Sequence, residues 1–368
     1  MKKPLGIYVH IPFCVKKCGY CDFCSVTDFS LIEKYVARMC EDIISAGKAH
    51  GERYFVDTVY FGGGTPTCVG EGLCKILSAI RSAFELNNNA EISFEANPAT
   101  ADTKLLRKLR ESGFNRLSIG IQSANENELR RLGRIHTFEE AVRLTAQGRA
   151  AGFEDIGGDL MLGIPEQTRE SMARSICALA ALGMEHISAY MLKIEPNTPF
   201  GEYPPADIPD EDETAEIYLE AVRLMQELGY SRYEISNFAK PGFECRHNMK
   251  YWTLGDYLGF GPTAHSCFEG RRTSVEGSVK EYCDGKNVKK DRGECGDIEE
   301  YIMLSLRTRQ GVSNSFIADR YSKSFKPSTV IRSLEKNGLI TVGENITLTD
   351  SGILVSNGII TELIECYE

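Results

Sequence analysis

The sequence predicts an α/β protein in which a parallel sheet is wound through helical crossovers, followed by a small C-terminal helical unit. Two observations predict it. Short runs rich in Val, Ile and Phe, bounded by Gly, Pro or Asn, alternate with helical patterns through the first two-thirds of the chain. Polar and glycine-rich residues follow the strand-like runs, as ligand-binding residues do at the C-terminal edge of a parallel sheet.

The strand candidates are residues 6–11, 56–61, 91–96, 116–121, 155–162 and 187–193. The helical candidates between them are residues 31–46, 72–84, 103–112, 138–152 and 169–182. Gly113, Gly152 and Gly183 stand at or just past helix ends, where a left-handed residue commonly closes the last turn. Such βα units build a complete barrel, a partial barrel or a doubly wound sheet. In each case one rim collects the functional groups: the cysteine loop after strand one, Gly62-Gly63-Gly64-Thr65-Pro66 after strand two, and Glu95-Ala-Asn97-Pro98 at strand three. Gln122-Ser123, Asp159 to Pro165 and Glu195-Pro196 end the last three strands.

Beyond the sheet, residues 210–229 form another amphipathic helix after a proline-rich turn. Residues 230–278 are rich in glycine and aromatics, and the polar stretch 281–296 marks a boundary. The stretch from Val330 through Gly338 to Thr349 reads as a helix and then a β-wing. A winged helix usually points to DNA, but a recognition helix needs positive charge that this unit lacks.

The chain has 368 residues, a hydrophobic fraction of 42% and a net charge of −10. That composition suits a globular protein with one large and one small domain, and it argues against a broad nucleic-acid footprint. No stretch of about 18 apolar residues is present to span a membrane. The cysteine run begins too early for a signal core, so the cytosol is the expected compartment. Most of the thirteen cysteines are expected to be small buried hydrophobes.

Three cysteines differ. Cys14, Cys18 and Cys21 form C-x3-C-x2-C on one short loop. Iron–sulfur cubanes normally take four thiolates, so three leave one iron open to a small molecule. Cys24 adds a fourth thiol and with it two alternatives. A zinc site normally pairs two separated knuckles. A closed electron-transfer cluster of the ferredoxin kind commonly sends the fourth cysteine of a compact run to a second cluster, for which no further run exists here. Both fit poorly.

The run Tyr8-x-His10-x-Pro12-Phe13-Cys14-x3-Cys18-x2-Cys21, with Gly62-Gly-Gly-Thr-Pro66, resembles radical S-adenosylmethionine (SAM) proteins. More narrowly, the chain resembles the branch holding oxygen-independent coproporphyrinogen III oxidase and related heme chaperones, over essentially its whole length. The resemblance implies a partial (β/α)6 barrel over residues 1–235, a connecting region over 236–290 and a C-terminal helical, winged-helix-like domain over 291–368. It implies that Cys14, Cys18 and Cys21 hold a [4Fe-4S] cluster whose open iron takes SAM. Tyr8 and Phe23 would pack near cluster and cofactor, and Gly63, Gly64 and Thr65 would meet the methionine moiety. Glu95, Gln122, Arg134 and Asp159 match cofactor-contacting positions. Taken singly, a Gly-Gly-Gly is a tight turn, Glu95 or Asp159 a cap or ion pair, and Arg134 a helix-end charge. Their shared rim favours the functional reading.

Two features separate the chaperones from the oxidase. The oxidase pattern continues C-x-C, whereas Phe23 stands at that position here and Cys24 is expected to be a non-ligating thiol. His247-Asn248-Met-Lys-Tyr251-Trp252 matches the H-N-x-x-Y-W motif of the chaperones. The chain also begins just before the cysteine loop, without the extension that the oxidases use. Heme needs flat apolar surfaces, an axial ligand and cations for its propionates. Tyr251 and Trp252 supply the first. His247 is the first ligand candidate, with Cys245 and the weaker His265 behind it. Arg246 and Lys250 would meet propionates, and Asn248 completes the motif. The alternative is a structural corner in which His247 and Asn248 tie down backbone. His10 is expected to support the cysteine loop by hydrogen bonding.

The expected function is therefore that of a cytosolic heme chaperone, with heme as cargo and hemoproteins such as respiratory cytochromes as recipients. Cluster and SAM would regulate assembly, dimerisation or release, and contact with a membrane would be transient. The alternative is the oxidase itself, which decarboxylates propionates by radical SAM chemistry. A third possibility is a radical enzyme that opens the heme macrocycle.

Overall fold

The computed structural model describes residues 1–325 and 328–367. Six parallel strands form its centre: β1 (Lys3–Ile11), β2 (Tyr54–Gly63), β3 (Glu85–Ala96), β4 (Arg116–Gln122), β5 (Asp155–Leu162) and β6 (His186–Met191). They lie side by side in chain order. A doubly wound sheet would reverse that order at a switch point, so the sheet is of the barrel type. It does not close, because β1 pairs on its free side with β9 (Tyr257–Phe260) rather than with β6. The result is the expected partial (β/α)6 barrel.

The crossovers are α1 (Ile32–His50), α2 (Gly72–Ala83), α3 (Thr103–Ser112), α4 (Glu126–Arg131) with α5 (Phe138–Ala150), and α6 (Arg169–Ala181). Local chemistry sets their ends. The Asp102 carboxylate caps α3 by accepting from the Leu105 N–H at 2.7 Å, and Gly113 closes it at φ +102°. Thr137 with Glu140 and Thr168 with Ser171 form reciprocal capping boxes on α5 and α6.

Side chains alternate across each strand. Ile7, Val9, Val59, Phe61, Phe94, Leu117, Ile119, Ile156 and Ile187 point outward and join the core under the helices. The opposite set faces the barrel interior and is polar: Tyr8, His10, Thr58, Tyr60, Glu91, Glu95, Arg116, Asp155 and Asp159.

The sheet continues beyond the barrel. After α7 (Pro199–Glu202) and α8 (Glu211–Glu227) come β7 (Ser231–Arg232) and β8 (Asn237–Ala239), which extend the β6 edge. On the other edge β9, β10 (His265–Phe268), β11 (Arg271–Glu276) and β12 (Val288–Glu294) follow one another outward. The short helix α9 (Arg246–Trp252) lies between β8 and β9 in the chain. The C-terminal part holds helices Ile298–Ser305, Asn314–Tyr321, Thr329–Lys336 and Ser356–Ile364, with a wing of Ile340–Val342, Asn345–Leu348 and Val312–Ser313. No helix among the described residues is long and apolar enough to cross a membrane.

Candidate functional site: a thiol-rimmed cavity at the strand ends

The C-terminal ends of the parallel strands surround a cavity of about 510 Å³. Cys14, Cys18, Cys21, Phe23, Gly63, Gly64, Thr65, Glu95, Gln122, Arg134 and Asp159 all line it. Backbone ties pinch the cysteine loop at its base: the Cys14 N–H donates to the Val26 carbonyl at 3.0 Å and the Val26 N–H to the Pro12 carbonyl at 2.7 Å. The glycine run fastens it from below, with the Gly64 N–H on the Ile11 carbonyl and the Thr65 N–H on the Phe13 carbonyl, each at 2.8 Å. Gly63 sits at φ +111°, and a Cβ there would lie 2.5 Å from the His10 ring. His10 bonds the Cys24 carbonyl through Nε2 at 3.0 Å, which supports the loop as expected.

Two of the three thiols, Cys14 and Cys18, belong to one polar chain. Cys14 Sγ lies 3.6 Å from the Thr65 hydroxyl, which accepts from the Asn97 amide at 2.7 Å. Asn97 Oδ1 accepts from Arg134 Nη2 at 2.6 Å, and Arg134 Nη1 points at Cys18 Sγ across 3.6 Å. Among the described residues no three Cys, His, Asp or Glu side chains converge on a point that would hold a single ion. Cys24 does not line the cavity. Arg134 also keeps a buried Nε without a partner at the cavity wall, as a site built to receive an anionic group would.

Two carboxylates face each other deeper in. Burial and the neighbouring Asp159 push Glu95 up to about 7, against the pull of the Tyr60 hydroxyl and the Gly63 N–H. Burial likewise raises Asp159, opposed by hydrogen bonds from Ser188 and Ser118. The cavity therefore offers a guanidinium for a carboxylate and carboxylates for an ammonium or ribose hydroxyls, beside three thiols. These donors fit both a three-thiolate cluster and a zwitterionic amino-acid cofactor.

Of the two aromatic residues expected near cluster and cofactor, one lines the cavity and one does not. Tyr8 is not a lining residue; its ring stacks on Tyr60, 6.4 Å away, and its hydroxyl pairs with His10 Nδ1 at 3.1 Å. Phe23 lines the cavity and is 65% exposed. Asn97, which the sequence placed on the rim without a role, also lines the cavity, as do Tyr20 and Tyr60, which were not singled out from the sequence.

The H-N-x-x-Y-W stretch is placed elsewhere. It forms α9, which plugs the barrel floor at the N-terminal ends of the strands. His247 is 0% exposed. Its Nδ1 pairs with the Thr58 hydroxyl at 2.9 Å and its Nε2 with the Tyr251 hydroxyl at 2.8 Å. Glu91 accepts from the N–H groups of Arg246 and His247, each at 2.9 Å. Burial, then Lys250, pushes the imidazole down to about 3, so it is neutral. Both ring nitrogens of His247 are thus occupied and the ring is fully buried, so ligation of heme by His247 would require this floor to rearrange. Cys245 is buried against Glu91. Arg246 donates to the Asn89 carbonyl and Lys250 pairs with Asp57. Asn248, Tyr251 and Trp252 are half-buried parts of the same plug.

The fold and the thiol-rimmed cavity define a radical SAM protein. Residues 8–176 match the radical SAM superfamily and residues 297–355 the HemN C-terminal domain. The heme chaperone HemW of Haemophilus influenzae is 33% identical over 99% of this chain and 98% of its own length. The heme chaperone HemW of Bacillus subtilis is 36% identical, over 95% of this chain and 96% of its own. Among solved structures, the coproporphyrinogen III oxidase HemN of Escherichia coli, described as a radical SAM enzyme, superposes with a TM-score of 0.83. It is 25% identical, over 98% of this chain and 90% of that one. The chain belongs to the radical SAM heme chaperone family.

Proposed function

We propose that this chain holds one heme and passes it to hemoproteins, with a [4Fe-4S] cluster and SAM at the cavity in a regulatory role. Near-full-length similarity to proteins described as heme chaperones carries the reading. Cys14, Cys18 and Cys21 would hold the cluster, which supplies an open iron for the amino and carboxylate groups of SAM. Arg134 would pair with the SAM carboxylate. Glu95 and Asp159 would accept from its ammonium or ribose, while Gln122, Gly63, Gly64 and Thr65 line its path. Recipients would be hemoproteins such as respiratory cytochromes, reached by transient contact at the membrane, and cluster state would govern dimerisation or release.

The heme seat in this reading is the cavity mouth rather than the H-N-x-x-Y-W plug. Phe23 and Tyr190 are exposed there. Lys16, Lys17 and Lys193 also line the cavity. A flat apolar macrocycle with two propionates matches that mix of aromatic surface and cations.

The alternative is the decarboxylating oxidase, favoured by the superposition on the Escherichia coli enzyme. Phe23 opposes it, since it replaces the extra cysteine of the oxidase pattern. The deciding assay supplies coproporphyrinogen III, SAM and a reductant under anaerobic conditions. The chaperone reading expects no protoporphyrinogen. Product formed with stoichiometric 5′-deoxyadenosine would establish the oxidase.

A further inference from the structure

We infer that Tyr60 is a positioning residue for SAM, holding the Glu95 carboxylate in place, and that the His247–Tyr251 floor acts on the cavity through Tyr60 rather than by ligating heme. The inference rests on the reading that SAM occupies the cavity.

Tyr60 rises from the middle of β2 between floor and cavity. Its hydroxyl donates to Glu95 Oε1 at 2.8 Å. Its ring stacks on His247, with centroids 5.5 Å apart and planes at 22°, and also on Tyr8, at 6.4 Å and 22°. A swing of the phenol would break both contacts. His247 cannot yield easily, because Thr58 and Tyr251 hold its two nitrogens and Glu91 holds its backbone N–H. A rigid path therefore runs from the floor helix to the carboxylate, through groups whose buried polar atoms are all paired. The path gives the H-N-x-x-Y-W histidine a role that suits its burial.

The electrostatics make the contact matter. Burial first, and then Asp159 from β5, press Glu95 toward its neutral form, and Tyr8, Tyr190 and Tyr251 lie near enough to feel its charge. Only the Tyr60 hydroxyl and the Gly63 N–H favour the charged form. An ammonium is best met by the carboxylate, so loss of the phenol donor weakens both the placement and the ionisation of Glu95.

The test is SAM binding to anaerobically reconstituted protein across pH, in wild type, Tyr60→Phe, His247→Ala and His247→Phe, with cluster content checked in each. In Tyr60→Phe the dissociation constant should rise about tenfold near neutral pH. The pH midpoint of binding should move upward, so that affinity recovers in alkali. His247→Ala should weaken SAM binding in the same direction. His247→Phe keeps a ring against Tyr60 and should restore most of it, and hemin affinity should be unchanged in both His247 variants. Equal SAM affinity and equal pH midpoint in wild type and Tyr60→Phe would overturn the inference. Loss of hemin binding in both His247 variants, with SAM binding intact, would overturn it too. A wild type that carries its cluster and binds no SAM would refute the cavity reading itself.

Discussion

Arg134 and Cys18 stand 116 positions apart in the chain, and the guanidinium Nη1 points at the thiol sulfur across 3.6 Å. The other terminal nitrogen is anchored on Asn97 at 2.6 Å and on the Gly120 carbonyl at 2.7 Å. The cysteine loop and the rim of β3 and β4 are thus joined through one side chain, which also faces the cavity where a SAM carboxylate would lie.

Hydrogen bonds to cluster sulfur ligands raise the reduction potential. Arg134→Met should retain the cluster, shift its potential downward and weaken SAM binding. Redox titration followed by electron paramagnetic resonance measures the shift. An unchanged potential would remove Arg134 from the cluster's surroundings.

Cluster ligation should divide the four loop cysteines. Alanine at Cys14, Cys18 or Cys21 should abolish the iron–sulfur absorbance after reconstitution. Cys24→Ala should keep it, since Cys24 lies off the cavity. Full cluster loss in the Cys24 variant would mean four thiolate ligands and no open iron.

The barrel interior also carries a buried ion pair. Arg116, 4% exposed, reaches Asp155 at 2.6 Å and the Phe243 carbonyl at 3.0 Å. Arg116→Ala would leave the half-buried Asp155 without its partner, at a cost of about 2 kcal/mol once solvent screening is allowed for. Chemical denaturation should show that loss in midpoint with little change in slope. A variant as stable as the wild type would contradict it.

Glu95 makes the apoprotein's stability depend on pH. Its folded value is pushed up from 4.5 to about 7. The protonated form is therefore favoured by the fold, and that contribution is complete below the unfolded value and lost as pH rises through the folded one. Glu95→Gln removes the loss. Above neutral pH the variant should be more stable by about 1 kcal/mol, a figure reduced because the cavity is open to water. SAM binding should fall at the same time. A variant no more stable than wild type in alkali would show that Glu95 ionises there without strain.

Heme affinity should follow the cavity mouth. The double substitution Lys16→Glu with Lys17→Glu should weaken hemin binding about tenfold, and more at low than at high salt. Hemin titration by Soret absorbance reads the change. Unaltered affinity would place the propionates elsewhere.

The six parallel strands and most of their crossovers were legible because burial on both sides of an alternating strand leaves a clear pattern. Asp155–Leu162 and Thr103–Ser112 lie where the sequence placed them. Strand β12 was not legible. Its Val-Lys-Lys-Asp-Arg-Gly-Glu reads as a polar boundary, and only its ladder with β11 makes it a strand. Charges on such an outer strand discourage further pairing. Helix α4 is short and was missed, although Asn125 caps it. The rim residues were visible because they end strands. The setting of His247 was not, because the groups that bury it, Thr58 and Glu91, lie 189 and 156 positions away. Local pattern shows that a histidine is present and leaves open whether its nitrogens are free.

Heme holding and transfer can be read in one experiment, by titrating anaerobically reconstituted protein with hemin and then adding an apo-hemoprotein. One heme should bind per chain, seen as a saturable Soret band, and should then pass to the acceptor. No saturable binding, together with conversion of coproporphyrinogen III by the same preparation, would contradict the chaperone reading and make the chain an oxidase.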